Sequence, residues 1–355
     1  MTLPSKSFWE HKTVLVTGHT GFKGSWLSLC LSEMGAVVHG LALEPHGPKN
    51  LFSDLRLSDR LDRDFRVDIR DFTAVREAIS QSQPDVIFHL AAQALVGEGL
   101  RSPLDTISTN VMGTANLLEA CRQTSQRCVF ISVTTDKVYS NENLGQVFGE
   151  QDSLGGKDPY SASKAAADII SQMFDSAYFN NREISVGVAR AGNVIGGGDW
   201  NQDRIFPDIA RAWSSGEIVK IRSPKATRPW QHVLEPLRGY MILAERLQAQ
   251  QKISGPINFG PDPQDCLTVQ ELVSISSAFW QGNPGWDIEF EGRSHEVESL
   301  AISNSLASHL LGIEPVWTSE KAIERTTEWY FQFLMGANAE TLCLADIQAY
   351  WNENE

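Results

Sequence analysis

Residues 14–24 constrain the fold more than any other stretch of this chain. The apolar run Val14-Leu15-Val16 passes directly into Thr17-Gly18-His19-Thr20-Gly21-Phe22-Lys23-Gly24, and residues 25–34 then read as a helix closed by Gly35. Glycines at three-residue spacing between a buried strand and a helix meet a specific need. They give a tight turn whose backbone comes close enough for phosphate oxygens to reach amides at a helix N-terminus. A bare glycine turn has many uses, but directly after the first strand it predicts a dinucleotide-binding unit. Gly18, Thr20, Gly21, Phe22, Lys23 and Gly24 are the residues this turn would place against a cofactor.

The rest of the first half alternates in the same way. Apolar runs at 37–43, 65–71, 85–93, 128–133 and 184–190 are separated by helical segments, one of them running from Thr109 to about residue 122. That alternation predicts an α/β fold with a doubly wound, mostly parallel sheet of the Rossmann type. Glu44 stands about where an acid would bond a ribose 2′-hydroxyl, with Pro45 behind it; the other reading is a solvated loop charge. Lys49, Arg56 and Arg60 are too scattered to clamp a 2′-phosphate, so NAD is expected rather than NADP. Asp68 is a candidate partner for an adenine amino group and Ile69 for its ring. Leu90, Ala91, Ala92 and Gln93 are small enough as a set to let a flat ligand approach, and His89 reads as a core histidine.

The chemistry concentrates in Thr134-Thr135-Asp136-Lys137-Val138-Tyr139 and in Tyr160-Ser161-Ala162-Ser163-Lys164. The first follows a buried strand and the second opens an Ala-rich helix. Four-residue spacing puts Tyr160 and Lys164 on one helix face. An ammonium beside a phenol favours the phenolate and lowers its pKa. Asp136-Lys137 is either an acid–base pair or a strand-end ion pair.

Bulk properties exclude other classes. The chain has 355 residues, enough for one large or two smaller domains, and 42% are hydrophobic, which supports a packed interior. Thirty basic against 44 acidic residues leave a net charge of −14, which argues against nucleic acid or an anionic membrane as partner. Arg222, Arg228 and Arg293 stand out in so acidic a chain, because guanidinium forks suit a diphosphate. Trp230 is a candidate support for a sugar or base face, and His295 stands beside Arg293. The five cysteines show no paired spacing, no apolar run reaches the ~18 residues that span a bilayer, and residues 1–10 lack the apolar core of a signal peptide. The chain therefore reads as a cytoplasmic protein with free thiols. No metal is expected, and residues 336–355 read as a polar tail of helical character without a motif.

Taken in order, TGHTGFKG, VDIRD, HLAAQ, STNVMGT and YSASK make the chain resemble an extended short-chain dehydrogenase/reductase over residues 12–317. Within that family TTDKVY with YSASK is most similar to the CDP-glucose 4,6-dehydratases, where Lys stands at the place related dehydratases use Glu. The resemblance implies NAD as cofactor, held also by Thr109, Tyr160 and Lys164, and a nucleotide sugar, CDP-glucose, as substrate. It implies catalytic roles for Thr135, Asp136, Lys137, Tyr160 and Lys164. The glycines around Asn193, at 192 and 196–198, mark either a loop whose backbone approaches a ligand or an interdomain hinge, and Asn193 would face the substrate pyrophosphate. Arg204, Arg222, Arg228, Trp230, Arg293 and His295 would complete the substrate site. Residues 1–190, rejoined by 230–260, would bind NAD. Residues 191–229 and 261–355 would form a smaller, discontinuous substrate domain. A homodimer through a four-helix bundle is expected, and the product would be a deoxysugar precursor of cell-surface polysaccharide. Two departures from that activity stay open: another nucleotide-sugar enzyme of this fold (a GDP- or dTDP-sugar dehydratase, a 4-epimerase or a decarboxylase), or a non-catalytic NAD sensor. Lys137 either takes the C5 proton or stays charged beside an enolate while Tyr160 or Glu142 moves it. Gly97 stands where family members carry an Arg, with Arg101 as the nearest substitute.

Overall fold

The computed structural model describes residues 2–124, 127–142, 144–179, 184–202, 204–251, 253–282, 284–288 and 300–353. Seven parallel strands form the central sheet: β1 Thr13–Thr17, β2 Val37–Ala42, β3 Arg63–Arg66, β4 Val86–His89, β5 Cys128–Thr135, β6 Ile184–Ala191 and β7 Pro256–Phe259. Their spatial order is β7-β6-β5-β4-β1-β2-β3, with Thr17 opposite both Leu41 and His89 in register. The order reverses at β1, and a crevice opens at such a switch point beyond the carboxyl ends of the strands. The glycine turn leaves β1 into that crevice.

Period-two alternation decides which face each side chain serves. Val14 and Val16 pack on one side with Trp26 of helix α1 (Phe22–Glu33), whereas Leu15 packs on the other with Val75 of α2 (Phe72–Ser82) and Leu117 of α3 (Gly113–Arg122). Val129 and Ile131 repeat this split against Phe130. All eight residues of β5 are buried, which is why the strand reads as an unbroken apolar run. Helix α4 (Pro159–Phe174) starts with Asp158 accepting from the Ser161 amide and Pro159 in the first turn, a strong start signal.

After Ala191 the chain leaves the sheet for α5 (Ile205–Ser214) and returns with α6 (Leu234–Gln248) and β7. It then leaves again for α7 (Val269–Phe279), α8 (Ser319–Leu334) and α9 (Ala339–Asn352). Two small strand pairs join the excursions: Val219–Ile221 runs parallel to Trp286–Ile288, and Thr227–Arg228 antiparallel to Leu267–Thr268. A large parallel sheet with a smaller unit built from separated segments is the expected architecture.

Three local expectations change. The third strand ends at Arg66, because Asp68 turns the chain by accepting from the Arg70 amide and guanidinium. The helical run expected from Thr109 starts earlier, at Pro103, and passes through a π-helical turn at Ser108–Met112. The C-terminal segment is not a polar tail: α9 buries Cys343, Ile347 and Tyr350, and the Tyr350 hydroxyl donates to Glu235 Oε2 at 2.7 Å.

The glycines at 196–198 serve packing rather than ligand approach. A Cβ on Gly197 would lie 1.9 Å from the ring of buried Trp329, while the Gly197 carbonyl accepts from Trp26 Nε1 at 3.0 Å. Gly197→Ala is expected to cost about 1–3 kcal/mol through overpacking, read as a lower urea midpoint. Gly285→Ala, with nothing within 4 Å of the added carbon, is expected to stay within about 0.5 kcal/mol of the parent.

Candidate active site

The cofactor corner is built by backbone. Gly18 has φ +75, and a Cβ there would sit 2.8 Å from the Ala91 amide, so glycine alone lets β1 and β4 exits close together. Thr17 Oγ1 accepts from the Ala91 amide at 3.1 Å and contacts His89 Nδ1 at 2.9 Å, while His89 Nε2 reaches Thr114 Oγ1 at 2.8 Å. Burial, with the Lys164 charge behind it, pulls His89 down to about 3, so it is a neutral core residue as expected. Thr20 donates to the Leu43 carbonyl, and Gly21 is exposed at the uncapped N-terminus of α1. A helix N-terminus with no side chain in the way fits a dinucleotide pyrophosphate.

The walls of this corner differ in detail from expectation. Asp68 is taken up by Arg70, which holds its carboxyl below the usual range, and Ile69 is 4% exposed beneath Gly113. Leu90, Ala91 and Ala92 are half-buried along the β4 exit, as is Thr109. Gln93 is fixed by Asn110 Oδ1 on its amide and Thr106 Oγ1 on its side chain, at 2.8 Å each. Glu44 is exposed, 3.8 Å from Arg66 Nε. His19 went unread in the sequence: it is buried, bonds Asp64 at 3.0 Å, and burial lowers it to about 4.

At the end of β5 the reactive groups converge. Thr135 Oγ1 donates to Asp136 Oδ1 at 2.9 Å and accepts from the Lys137 amide, inside the 3-10 turn Asp136–Val138. Asp136 is 1% exposed, and its Oδ2 has no hydrogen-bond partner among the described residues. Burial raises its pKa, against the pull of Lys137, the Thr135 hydroxyl, Arg228 and Lys23. Lys164, one turn beyond Tyr160 on α4, donates to the Val133 carbonyl at 2.7 Å; burial lowers it to about 8, with Asp168 opposing. Burial raises the Tyr160 phenol, and the groups that bring it back down are the Thr135 hydroxyl and Arg204.

Two further groups enter from distant chain segments. Lys23 Nζ donates to Tyr240 Oη at 3.3 Å, and burial together with Lys164 and Arg204 pulls it down to about 7. Tyr240, on α6, is fully buried, and no pattern in its helix distinguishes it from a core tyrosine. Lys164 also makes a stability prediction. Its fall from 10.5 to about 8 is worth roughly 3 kcal/mol, and loss of the Val133 bond takes back about 1. Lys164→Met should thus be about 2 kcal/mol more stable below pH 8. In that range the buried amine is charged in both folded and unfolded chains, so its full cost is present. The cost falls as pH rises through the folded value, so the gap should close between pH 8 and 10.5, measured as parent-minus-variant denaturation.

The expected substrate residues divide. Arg228 is 5% exposed, with a guanidinium bond to the Thr227 carbonyl and a charge felt by Asp136. Arg204 immediately precedes α5 and acts on both Tyr160 and Lys23. Asn193 follows Gly192, where a Cβ would be 3.3 Å from Asp136 Oδ2. Arg222 is exposed at the end of Val219–Ile221. Trp230 is spent on the core, 5% exposed with its indole donating to the Leu267 carbonyl, so it offers no open face to a sugar or base. Arg293 and His295 lie outside the described residues. Glu142 is paired with Lys157 on the surface, and Arg101 with Glu98.

A switch-point crevice, a glycine cradle and a Tyr/Lys pair beside a buried acid define a dinucleotide-dependent enzyme acting on a hydroxyl-bearing substrate. The chain belongs to the NAD dependent epimerase/dehydratase family, whose pattern matches residues 14–260, and NAD is accordingly its cofactor. It is 41% identical over 351 residues to the CDP-glucose 4,6-dehydratase of Salmonella typhimurium, covering 97% of this chain and 98% of that protein. The dTDP-glucose 4,6-dehydratase of Xanthomonas campestris is 28% identical over 335 residues, covering 90% and 93%. Among solved structures, a Bacillus cereus UDP-glucuronic acid 4-epimerase in complex with UDP-glucuronic acid and NAD superimposes with a TM-score of 0.77 at 22% identity, covering 90% and 99%. The last likeness is one of fold.

Proposed function

We propose that this chain converts CDP-glucose to CDP-4-dehydro-6-deoxyglucose and water. The observation that carries the reading is Asp136: a buried carboxyl of raised pKa, in the turn after Thr135 and beside Lys137. Tyr160 takes the proton of the sugar 4-hydroxyl, and Thr135 bonds that same hydroxyl. Bound NAD would supply a hydride acceptor for C4 and a donor for C6, and Lys164 would hold its nicotinamide ribose. With C4 a ketone the C5 hydrogen is acidic, and Lys137, half-buried beside Asp136, either takes that proton as a neutral amine and later restores it, or stays charged against the enolate while Tyr160, once it has released the 4-hydroxyl proton to solvent, moves it. Asp136 gives its proton to the departing 6-hydroxyl, which leaves as water. A simple dehydrogenase or 4-epimerase needs no such acid.

Arg204, Arg228 and Asn193 are the side chains we assign to the substrate diphosphate edge. The exposed apolar residues Leu104, Ile107 and Met112 beside Ile169 and Met173 on α4 suit a homodimer through these helices, to be checked by mass in solution. Among the described residues no helix is long and apolar enough to cross a membrane, and all five cysteines are free, which suits the cytoplasm. The test is a panel of CDP-, GDP- and dTDP-glucose with NAD, scored by the alkaline 4-keto chromophore. Selective turnover of CDP-glucose is expected; preference for another base would move the chain to a sister dehydratase.

A further inference from the structure

One buried ion pair ties together both halves of the reactive centre without touching the crevice. Asp168 of α4 is 0% exposed and Arg190 of β6 1%. Arg190 grips the carboxylate with two bonds, Nε to Oδ2 at 2.8 Å and Nη2 to Oδ1 at 2.9 Å. Gln172 Nε2 donates to Oδ1 as well, at 2.6 Å. A pair this deep costs desolvation that packing alone would not require, so its value lies in fixing position.

What it fixes is specific. Thr134 Oγ1 donates to Asp168 Oδ2 at 3.1 Å, immediately before Thr135. Arg190 Nη1 donates to the Tyr139 hydroxyl at 2.9 Å, immediately after the Asp136–Val138 turn. Both ends of the turn that carries Asp136 and Lys137 are thus tied to one ion pair. The Tyr139 hydroxyl in turn donates to Asn258 Oδ1 of β7 at 2.7 Å, and its ring stacks on Phe148 at 5.0 Å. The same Asp168 sits one helical turn past Lys164 and two past Tyr160, on the helix that carries both.

We infer that the Asp168–Arg190 pair sets the distance between the redox pair and the dehydration pair, with Thr134 and Tyr139 as positioning residues for Asp136 and Lys137. Tyr160 and Lys164 are held by their own helix and by the Val133 carbonyl. The 136–138 turn is also anchored by the Gly155 amide on the Val138 carbonyl at 2.8 Å and by the pairing of Thr135 with Ala191, and its two flanking side-chain bonds are what tie it to α4. Loosening those bonds displaces the acid and the lysine relative to the sugar while leaving the phenol in place.

This inference rests on the dehydratase reading, and its test separates the two. Full-length parent, Tyr139→Phe, Thr134→Val and Thr134→Ser are mixed with NAD and CDP-glucose under single-turnover conditions. Reduced nicotinamide absorbance follows hydride removal, and 4-keto-6-deoxy product follows dehydration. A misplacement of about an ångström can cost about a hundredfold, so dehydration in Tyr139→Phe and Thr134→Val should slow by roughly ten- to a hundredfold. Hydride removal should stay within about twofold, so that reduced cofactor accumulates transiently. Thr134→Ser, which keeps the hydroxyl, should restore the parental ratio. If Tyr139→Phe does not fold, the Thr134 pair decides alone. An unchanged ratio of the two rates, or an equal fall in both, overturns the inference while the parent still makes product. A parent that makes no 4-keto-6-deoxy sugar overturns the dehydratase reading itself.

Discussion

Tyr160→Phe is expected to lower turnover by about a thousandfold, within the 10²–10⁴ range that positioned acid–base groups supply. The ring stays and the proton acceptor goes, so cofactor and substrate affinity should change little. Burial raises the phenol above its ordinary value, opposed by the Thr135 hydroxyl and by Arg204. The phenolate fraction therefore grows with pH, and the parental rate of hydride removal should climb on the alkaline side until Tyr160 is ionised. Tyr160→Phe should lose that rising limb. Arg204→Gln removes a positive charge that favours the phenolate, so the limb should move to higher pH. A pH profile of single-turnover hydride removal for the three proteins checks both statements, and a limb that persists in Tyr160→Phe would assign it to another group.

Asp136→Asn should be as damaging to one step and nearly silent in the other. Asn keeps the shape and still accepts from Thr135, but it has no proton to give the 6-hydroxyl. Hydride removal from C4 should survive, dehydration should fall by about a thousandfold, and reduced cofactor should build up in place of product. The raised pKa of the buried carboxyl keeps Asp136 protonated to higher pH than an exposed aspartate. Dehydration in the parent should therefore weaken as pH rises through that value, and in Asp136→Asn this dependence should vanish. Rapid-mixing absorbance with product analysis separates the two steps. Equal loss of both would make Asp136 a structural residue.

Much of this was legible before folding because it is local. The strand–glycine–helix passage at 14–24, the buried run of β5 and the four-residue interval between Tyr160 and Lys164 each encode their own geometry. The remainder is long-range. Tyr240 lies 217 positions from Lys23, and Asn258 lies 119 from Tyr139. No spacing rule connects them. Arg190 and Asp168 stand 22 positions apart on a strand and a helix, and only their shared burial makes them a pair. Trp230 and the glycines at 196–198 misled in the opposite direction. An aromatic and a glycine run suit a ligand surface and a tight core equally well, and only packing against Trp329 and the Leu267 carbonyl decides between them. The tail at 336–355 read as polar because its core-facing residues are few and widely spaced, yet Cys343, Ile347 and Tyr350 are enough to dock α9.

The central claim is that one site removes a hydride at C4, expels water across C5 and C6, and returns the same hydride at C6. The direct measurement is isotopic: CDP-glucose carrying deuterium at C4 is turned over by the protein with NAD in ordinary water, and the product is examined by NMR. The account predicts deuterium on the C6 methyl of a 4-keto-6-deoxy sugar, with no net reduced cofactor. Deuterium remaining at C4, or lost to a steadily accumulating reduced cofactor, would contradict it.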